Sequence, residues 1–216
     1  MSCLRFILVV AALSVVNSGC GSSTARNDKT DASPLADLDY PVGAFSLIER
    51  DGRTVTDRDL LGKVWIASFV FTRCMGNCPA VTASVRELQS RIADPNVVFV
   101  TFTVNGAHDT PAELKKYADR YQADPRRWLF LTGDEQTIRR LLQERFKQSA
   151  GDRPSAKLSE IDALASHSTR LIVVDKKGTI RAMYDGMRNA NFPESEERFA
   201  ENLKRLQDKV KQLSEE

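Results

Sequence analysis

The chain has 216 residues, of which 42% are hydrophobic and 28% charged, a balance that suits one folded domain with some extra segments and excludes disorder throughout. Its formal net charge is only +2, and no cluster of basic residues interleaved with aromatics is present to track a phosphate backbone, so nucleic acid is excluded as a partner.

The N-terminus has a short positive start from Met1 to Arg5, an apolar run over 6–16, and Asn17-Ser18-Gly19 ahead of Cys20. This pattern predicts an export signal over 1–19. The apolar run is well short of the roughly 20 residues that span a bilayer, so the signal is expected to be removed rather than kept as an anchor. Cys20, directly after Ser18 and Gly19, is similar to a bacterial lipoprotein processing site, in which the cysteine becomes lipidated and N-terminal and tethers the domain to a membrane surface. Asn17 stands where such sites usually carry an aliphatic residue, and secretion without a lipid is the alternative. Residues 20–39 are small and polar and bury too little apolar surface to order themselves, so they are expected to form a flexible tether.

From Tyr40 onward the pattern is one of strands alternating with amphipathic helices. Residues 64–71 (VWIASFVF) form an almost unbroken apolar run of strand length, suited to a strand buried on both faces. Phe71-Thr72-Arg73-Cys74-Met75-Gly76-Asn77-Cys78-Pro79 follows. Pro79 suits the first turn of a helix whose inner face carries Val81, Val85, Leu88 and Ile92. A second buried strand is predicted over 97–104. After it Thr110 and Glu113 have capping-box spacing ahead of a helix carrying Leu114, Tyr117, Ala118 and Tyr121. A third strand over 128–132 and a third helix over 135–146, with Ile138, Leu141, Leu142 and Phe146 inward, complete a rhythm that implies a largely parallel core. A polar insertion over 147–166 then leads to His167 and is long for a plain connection. Residues 169–174 and 179–184, flanking Asp175-Lys176-Lys177-Gly178, read as a hairpin that adds an antiparallel element. A last helix over 194–213, with Phe199, Leu203, Leu206, Val210 and Leu213 on one face, is expected to dock on the sheet. One α/β domain over 40–213 results, a central mixed sheet flanked by helices.

With Cys3 inside the signal and Cys20 at its end, the domain retains Cys74 and Cys78. A bridge between them would close too small a loop to act as a structural staple. A helix N-terminus stabilises a thiolate and is expected to lower the pKa of Cys78. Dithiol oxidoreductases of this architecture typically place two residues between the cysteines, whereas this chain has Met75, Gly76 and Asn77. The wider loop can close a disulfide or let both sulfurs face one soft ion. Two thiolates with one imidazole suit Cu(I) and also form the Cys2His set of some zinc enzymes. His108 precedes a helix start and reads as a solvated loop residue. His167 stands where it is able to reach the Cys loop, and position alone leaves it open between ligand and hydrogen-bonded structural histidine. Met75 reads as an exposed or gap-filling residue rather than a thioether ligand. No Gly-rich phosphate loop, serine nucleophile elbow or His-Glu-x-x-His helix occurs.

Three motifs, in order, carry a family resemblance over about residues 40–206: the segment from Phe69 through Cys74 and Cys78 to Pro79, then Asp109-Thr110-Pro111, then His167-Ser168-Thr169 followed by Leu171 to Asp175. The chain resembles the Sco/SenC family of copper chaperones, thioredoxin-fold proteins associated with assembly of the copper site of cytochrome c oxidase. The resemblance implies a thioredoxin-like fold and metal ligation by Cys74, Cys78 and His167, with Cu(I) or Cu(II) as the ion. It also implies the copper-binding subunit of the oxidase or another copper chaperone as partner, and the export signal with Cys20 predicts an extracytoplasmic, membrane-anchored location in the periplasm or cell envelope. The chain departs from the family where Met75 and Gly76 replace a proline and an acidic or polar residue, and where Val104-Asn105-Gly106 replaces a Val-Asp-Pro tract. Two other uses of the cysteines remain: a thiol-disulfide oxidoreductase in which Cys74 attacks a partner disulfide and Cys78 resolves it, and a peroxidase of related fold.

Overall fold

The computed structural model describes residues 35, 37–146, 169–188 and 194–216. The signal over 1–19, Cys20, most of the tether, the insertion over 147–166 and His167 lie outside them.

Among the described residues the elements run β1 (Tyr40–Pro41), β2 (Ser46–Glu49), β3 (Thr54–Thr56), β4 (Trp65–Val70), α1 (Cys78–Arg91), β5 (Val98–Thr103), α2 (Pro111–Arg120), β6 (Trp128–Thr132), α3 (Glu135–Arg140), β7 (Arg170–Val174), β8 (Thr179–Asp185) and α4 (Glu194–Glu215). They build one sheet in the order β1-β8-β7-β4-β5-β6-β2-β3. The β4, β5 and β6 strands are parallel, and the flanking strands pair antiparallel. This mixed sheet flanked by helices is the α/β arrangement that the strand–helix rhythm predicts, and it agrees with the thioredoxin-like fold that the resemblance implies.

Every residue of β4, β5 and β6 is buried, because helices cover both faces and side chains alternate between them. Trp65, Ala67 and Phe69 face the layer that holds Ile138, Leu141, Leu142 and Phe146. Ile66 and Val70 face the opposite layer, made by α1, α2 and α4 through Val81, Val85, Leu88, Leu114, Phe199, Leu203 and Leu206. The polar Ser68 is accommodated in β4 because its Oγ lies 2.8 Å from Thr101 Oγ1, which also accepts the Trp128 indole N–H at 2.8 Å. The Arg127 guanidinium donates to the carbonyls of Gln89 at 3.0 Å, Ile92 at 2.9 Å and Asp94 at 3.1 Å, occupying acceptors that the C-terminus of α1 leaves open.

Three features differ from the sequence reading. The helix expected over 135–146 stops at Arg140 and continues as one wide π turn, Leu141–Arg145, closed by the Phe146 N–H on the Leu141 carbonyl at 3.1 Å. The wide turn delivers Phe146 to Phe69, Phe102 and Trp65, at ring separations of 5.1, 5.4 and 6.3 Å. Strands β1, β2 and β3 are two to four residues long, too short to display alternation. They are held by pairing with β8, β6 and each other. Finally, the tether expected to reach Asp39 is already part of the fold at Leu35, which bridges to Met183, and at Leu38, whose N–H reaches the Arg181 carbonyl at 3.0 Å.

Candidate metal centre

The buried strand β4 ends at Val70, and α1 begins at Cys78 with Pro79 in its first turn, so the seven-residue connection is forced to turn at the C-terminal edge of the sheet. The Cys74 N–H donates to the Phe71 carbonyl at 3.1 Å, and the Gly76 N–H donates to Cys74 Sγ at 3.4 Å. Both cysteines are free thiols, Cys74 half-buried and Cys78 buried. Cys74 packs against the apolar cluster that contains Cys78, close enough for the two thiols to act on each other electrostatically. Two soft donors therefore stand side by side, one of them open to solvent.

The electrostatics of Cys78 reverse the expectation from its helix position. Burial pushes its thiol far above the ordinary range, and the adjoining Cys74 adds to the rise, against a backbone hydrogen bond at Phe71 that pulls the other way. At 2% exposure the desolvation of a charged sulfur outweighs what the first turn of α1 offers it. Cys78 is thus a thiol in the free protein, and ligation of a metal must release its proton.

Asp109, which opens the second of the three motifs, has no role assigned from the sequence, and the structure makes it a support of the Cys loop. It is 1% exposed and accepts from the Thr72 N–H at 3.1 Å and the Thr72 hydroxyl at 2.5 Å. It also accepts from the Thr103 hydroxyl at the end of β5. The Cys loop is thereby pinned to the neighbouring strand. The legible signal was its position just before Thr110, the N-cap of α2, whose hydroxyl accepts the Glu113 N–H at 3.3 Å. Asp109→Ala, which strands the buried Thr103 hydroxyl and the half-buried Thr72 donors, is expected to lower stability by about 2–3 kcal/mol, read as a drop in the urea midpoint.

A second prop comes from α2. The Thr82 hydroxyl donates to the Cys78 carbonyl at 2.7 Å and lies 2.7 Å from the Tyr117 hydroxyl, which donates to it in turn. Burial raises the Tyr117 phenol well above its usual value. The fold therefore holds the neutral phenol, and this contribution is intact below the unfolded value of about 10 and lost as pH rises above it. The urea midpoint is expected to fall more steeply from pH 9 to 11 in the wild type than in Tyr117→Phe.

The remaining candidates are placed as follows. His108 is exposed in the turn after β5, its N–H on the Asn105 carbonyl at 3.1 Å. Met75 is 99% exposed. In the Val104-Asn105-Gly106 tract, a Cβ on Gly106 would fall 2.0 Å from the Gly133 carbonyl oxygen, so this close approach of backbones admits glycine alone. Among the described residues no group of three or more His, Cys, Asp and Glu is placed to hold a metal ion. Those residues supply the two sulfurs. The antiparallel register of β7 with β4, Trp65 opposite Val174 and Ala67 opposite Ile172, puts the start of β7 at the edge where the Cys loop leaves β4.

The SCO1/SenC family model matches residues 36–206. The structure of a SCO1/SenC family lipoprotein from Bacillus anthracis str. Ames is 28% identical, with 84% of this chain and 98% of that chain covered and a TM-score of 0.64. BsSco, a member of the Sco family of cytochrome c oxidase assembly proteins in which a disulfide switch is identified, is 27% identical over 83% of this chain and 96% of its own, with a TM-score of 0.66. ScoI of Bradyrhizobium japonicum, solved with copper bound, is 26% identical over 76% of this chain and 97% of its own, with a TM-score of 0.53.

Proposed function

The chain belongs to the SCO1/SenC family, and from that membership we propose that it is an extracytoplasmic copper chaperone that holds the ion through Cys74, Cys78 and His167 and delivers it to the copper-binding subunit of cytochrome c oxidase. The observation that carries this reading is the pair of free thiols on the turn from β4 into α1, buried Cys78 opening the helix and half-exposed Cys74 packed against the same apolar cluster. Two thiolates and an imidazole match the ligand preference of Cu(I), and the imidazole also accommodates Cu(II). His167 lies three residues before β7 in sequence, with Ser168 and Thr169 between, and the edge at which β7 starts is the edge of the Cys loop. Copper in the Bradyrhizobium relative and the oxidase-assembly role of BsSco support the cargo and the recipient.

The residues divide the work between holding and releasing. Buried Cys78 keeps water from one side of the ion, and Asp109 through Thr72 keeps the loop in one conformation. Half-exposed Cys74 leaves a face on which an acceptor's ligand is able to exchange. No helix among the described residues is long and apolar enough to cross a membrane. A lipid on Cys20 would supply the tether, and the Bacillus anthracis relative is itself a lipoprotein. The thiol-disulfide oxidoreductase alternative is less favoured, since the Bradyrhizobium relative holds copper and BsSco belongs to the cytochrome c oxidase assembly proteins.

Anaerobic copper loading of the reduced full chain, with Cys74→Ser, Cys78→Ser and His167→Ala in parallel, tests the reading. Stoichiometric copper in the wild type and weakened binding in each variant are expected. A wild type that retains no copper, or a His167→Ala variant with unchanged affinity and spectrum, would overturn it. Intact mass of the membrane-extracted protein checks the lipid on Cys20.

A further inference from the structure

Three sulfur atoms of the Cys loop are graded in depth. Met75 is 99% exposed, Cys74 is half-buried and Cys78 is 2% exposed. Met75 stands out even among the exposed large apolar side chains, since Leu35 and Leu61 are 47% and 50% exposed. It sits in a run of backbone bends over Met75, Gly76 and Asn77, beside the Gly76 N–H that contacts Cys74 Sγ. Its unbranched side chain has three rotatable bonds and a polarisable sulfur, and thioethers belong with thiolates among the soft donors that select Cu(I). An ion arriving from solvent or from a carrier is barred by burial from meeting Cys78 first. The donors it meets are Met75 and Cys74.

We propose that Met75 is the entry ligand for copper: Cu(I) is captured by the Met75 thioether together with Cys74, and is then drawn inward as the Cys78 thiolate replaces the thioether. This rests on the copper reading above and specifies how that site is loaded. The copper stays Cu(I) and no electron moves. The Cys74 and Cys78 thiols each give one proton to solvent as their copper–sulfur bonds form, and the copper–thioether bond breaks as the bond to Cys78 is made. Met75 is therefore absent from the finished site, which gives it a kinetic signature and no equilibrium one.

The test uses the full, reduced chain and Cu(I) presented as its bicinchoninate complex, whose colour reports transfer. In Met75→Leu the loading rate is expected to fall at least about tenfold, the lower end of what loss of a supporting contact does at metal sites, with the final affinity unchanged. In selenomethionine-labelled Cys78→Ser the ion is stranded at the entry pair, so X-ray absorption is expected to show a copper–selenium path that the loaded wild type lacks and that Met75→Leu abolishes. An unchanged loading rate in Met75→Leu overturns the proposal while leaving the copper reading in place. A fall in final affinity equal to the fall in rate also overturns it, since Met75 would then be a permanent ligand. A wild type that takes no copper from the complex defeats the copper reading itself.

Discussion

Cys78→Ser is expected to weaken Cu(I) binding by more than about a hundredfold, since even outer-shell changes at metal sites reach 10–100-fold and this one removes a ligand. Serine keeps the shape of the side chain but replaces a soft, ionisable sulfur with a hard hydroxyl that stays protonated and has no affinity for Cu(I). The effect on the metal-free fold is separate and smaller. At 2% exposure a hydroxyl at this position costs about 1–3 kcal/mol if it finds no partner, so the apo urea midpoint is expected to fall modestly. Competition against a Cu(I) chelator measures the first effect and apo unfolding the second. Binding retained within about threefold of the wild type, a difference under 1 kcal/mol, would remove Cys78 from the ligand set. Cys74→Ser is expected to match it in affinity while costing less stability, because Cys74 is half-exposed.

The largest expected loss of stability comes from Phe102→Ala, about 3–5 kcal/mol. Phe102 is fully buried and its ring is the hub of an aromatic group. Phe69 stacks on it at 5.8 Å, Phe45 meets it edge-on at 5.8 Å, and Phe146 and Trp65 tilt against it at 5.4 and 6.3 Å. These rings come from β5, β4, the segment before β2, and the end of the π turn, so they fasten the N-terminal strands and the turn to the parallel core. Phe69 and Phe102 are also register partners across β4 and β5, and the interior around them is too constrained by backbone pairing to collapse into the space left. A domain of ordinary stability, about 5–15 kcal/mol, would lose a large part of it. Urea unfolding of the apo chain checks this. A loss below about 1 kcal/mol, the scale of an ordinary surface change, would show that the aromatic group is not the keystone of that face.

The parallel core was readable because its strands are continuous apolar runs: residues 64–71, 97–104 and 128–132 correspond to Trp65–Val70, Val98–Thr103 and Trp128–Thr132. The caps were readable for the same local reason, Thr110 and Pro111 opening α2 and Pro79 opening α1. The short strands β2 and β3 were not readable. Leu47 and Val55 are buried apolar residues in segments of four and three residues, and they become strands only because β2 pairs with the edge of β6 and β3 pairs with β2. The π turn was hidden because a hydrophobic pattern spaced three and four apart suits an α-helix equally well, and the turn widens in answer to packing on Phe69.

At the site the division is sharper. The sequence by itself determined which chemistry is possible, because two thiols between a buried strand and a proline-led helix, with only two histidines in the chain, leave few other donors to choose from. Only the tertiary structure decided how those thiols behave. The dipole at the start of α1 is a local property that sequence reveals, whereas the desolvation that raises Cys78 comes from chain packed around it, including Tyr117 of α2. Asp109 likewise became a support for the Cys loop only when the parallel pairing of β4 and β5 set it beside Thr72, 37 residues away in sequence. Donor identity and helix polarity are written in consecutive residues, while burial and long-range hydrogen bonds arise from residues that the folded chain alone brings together.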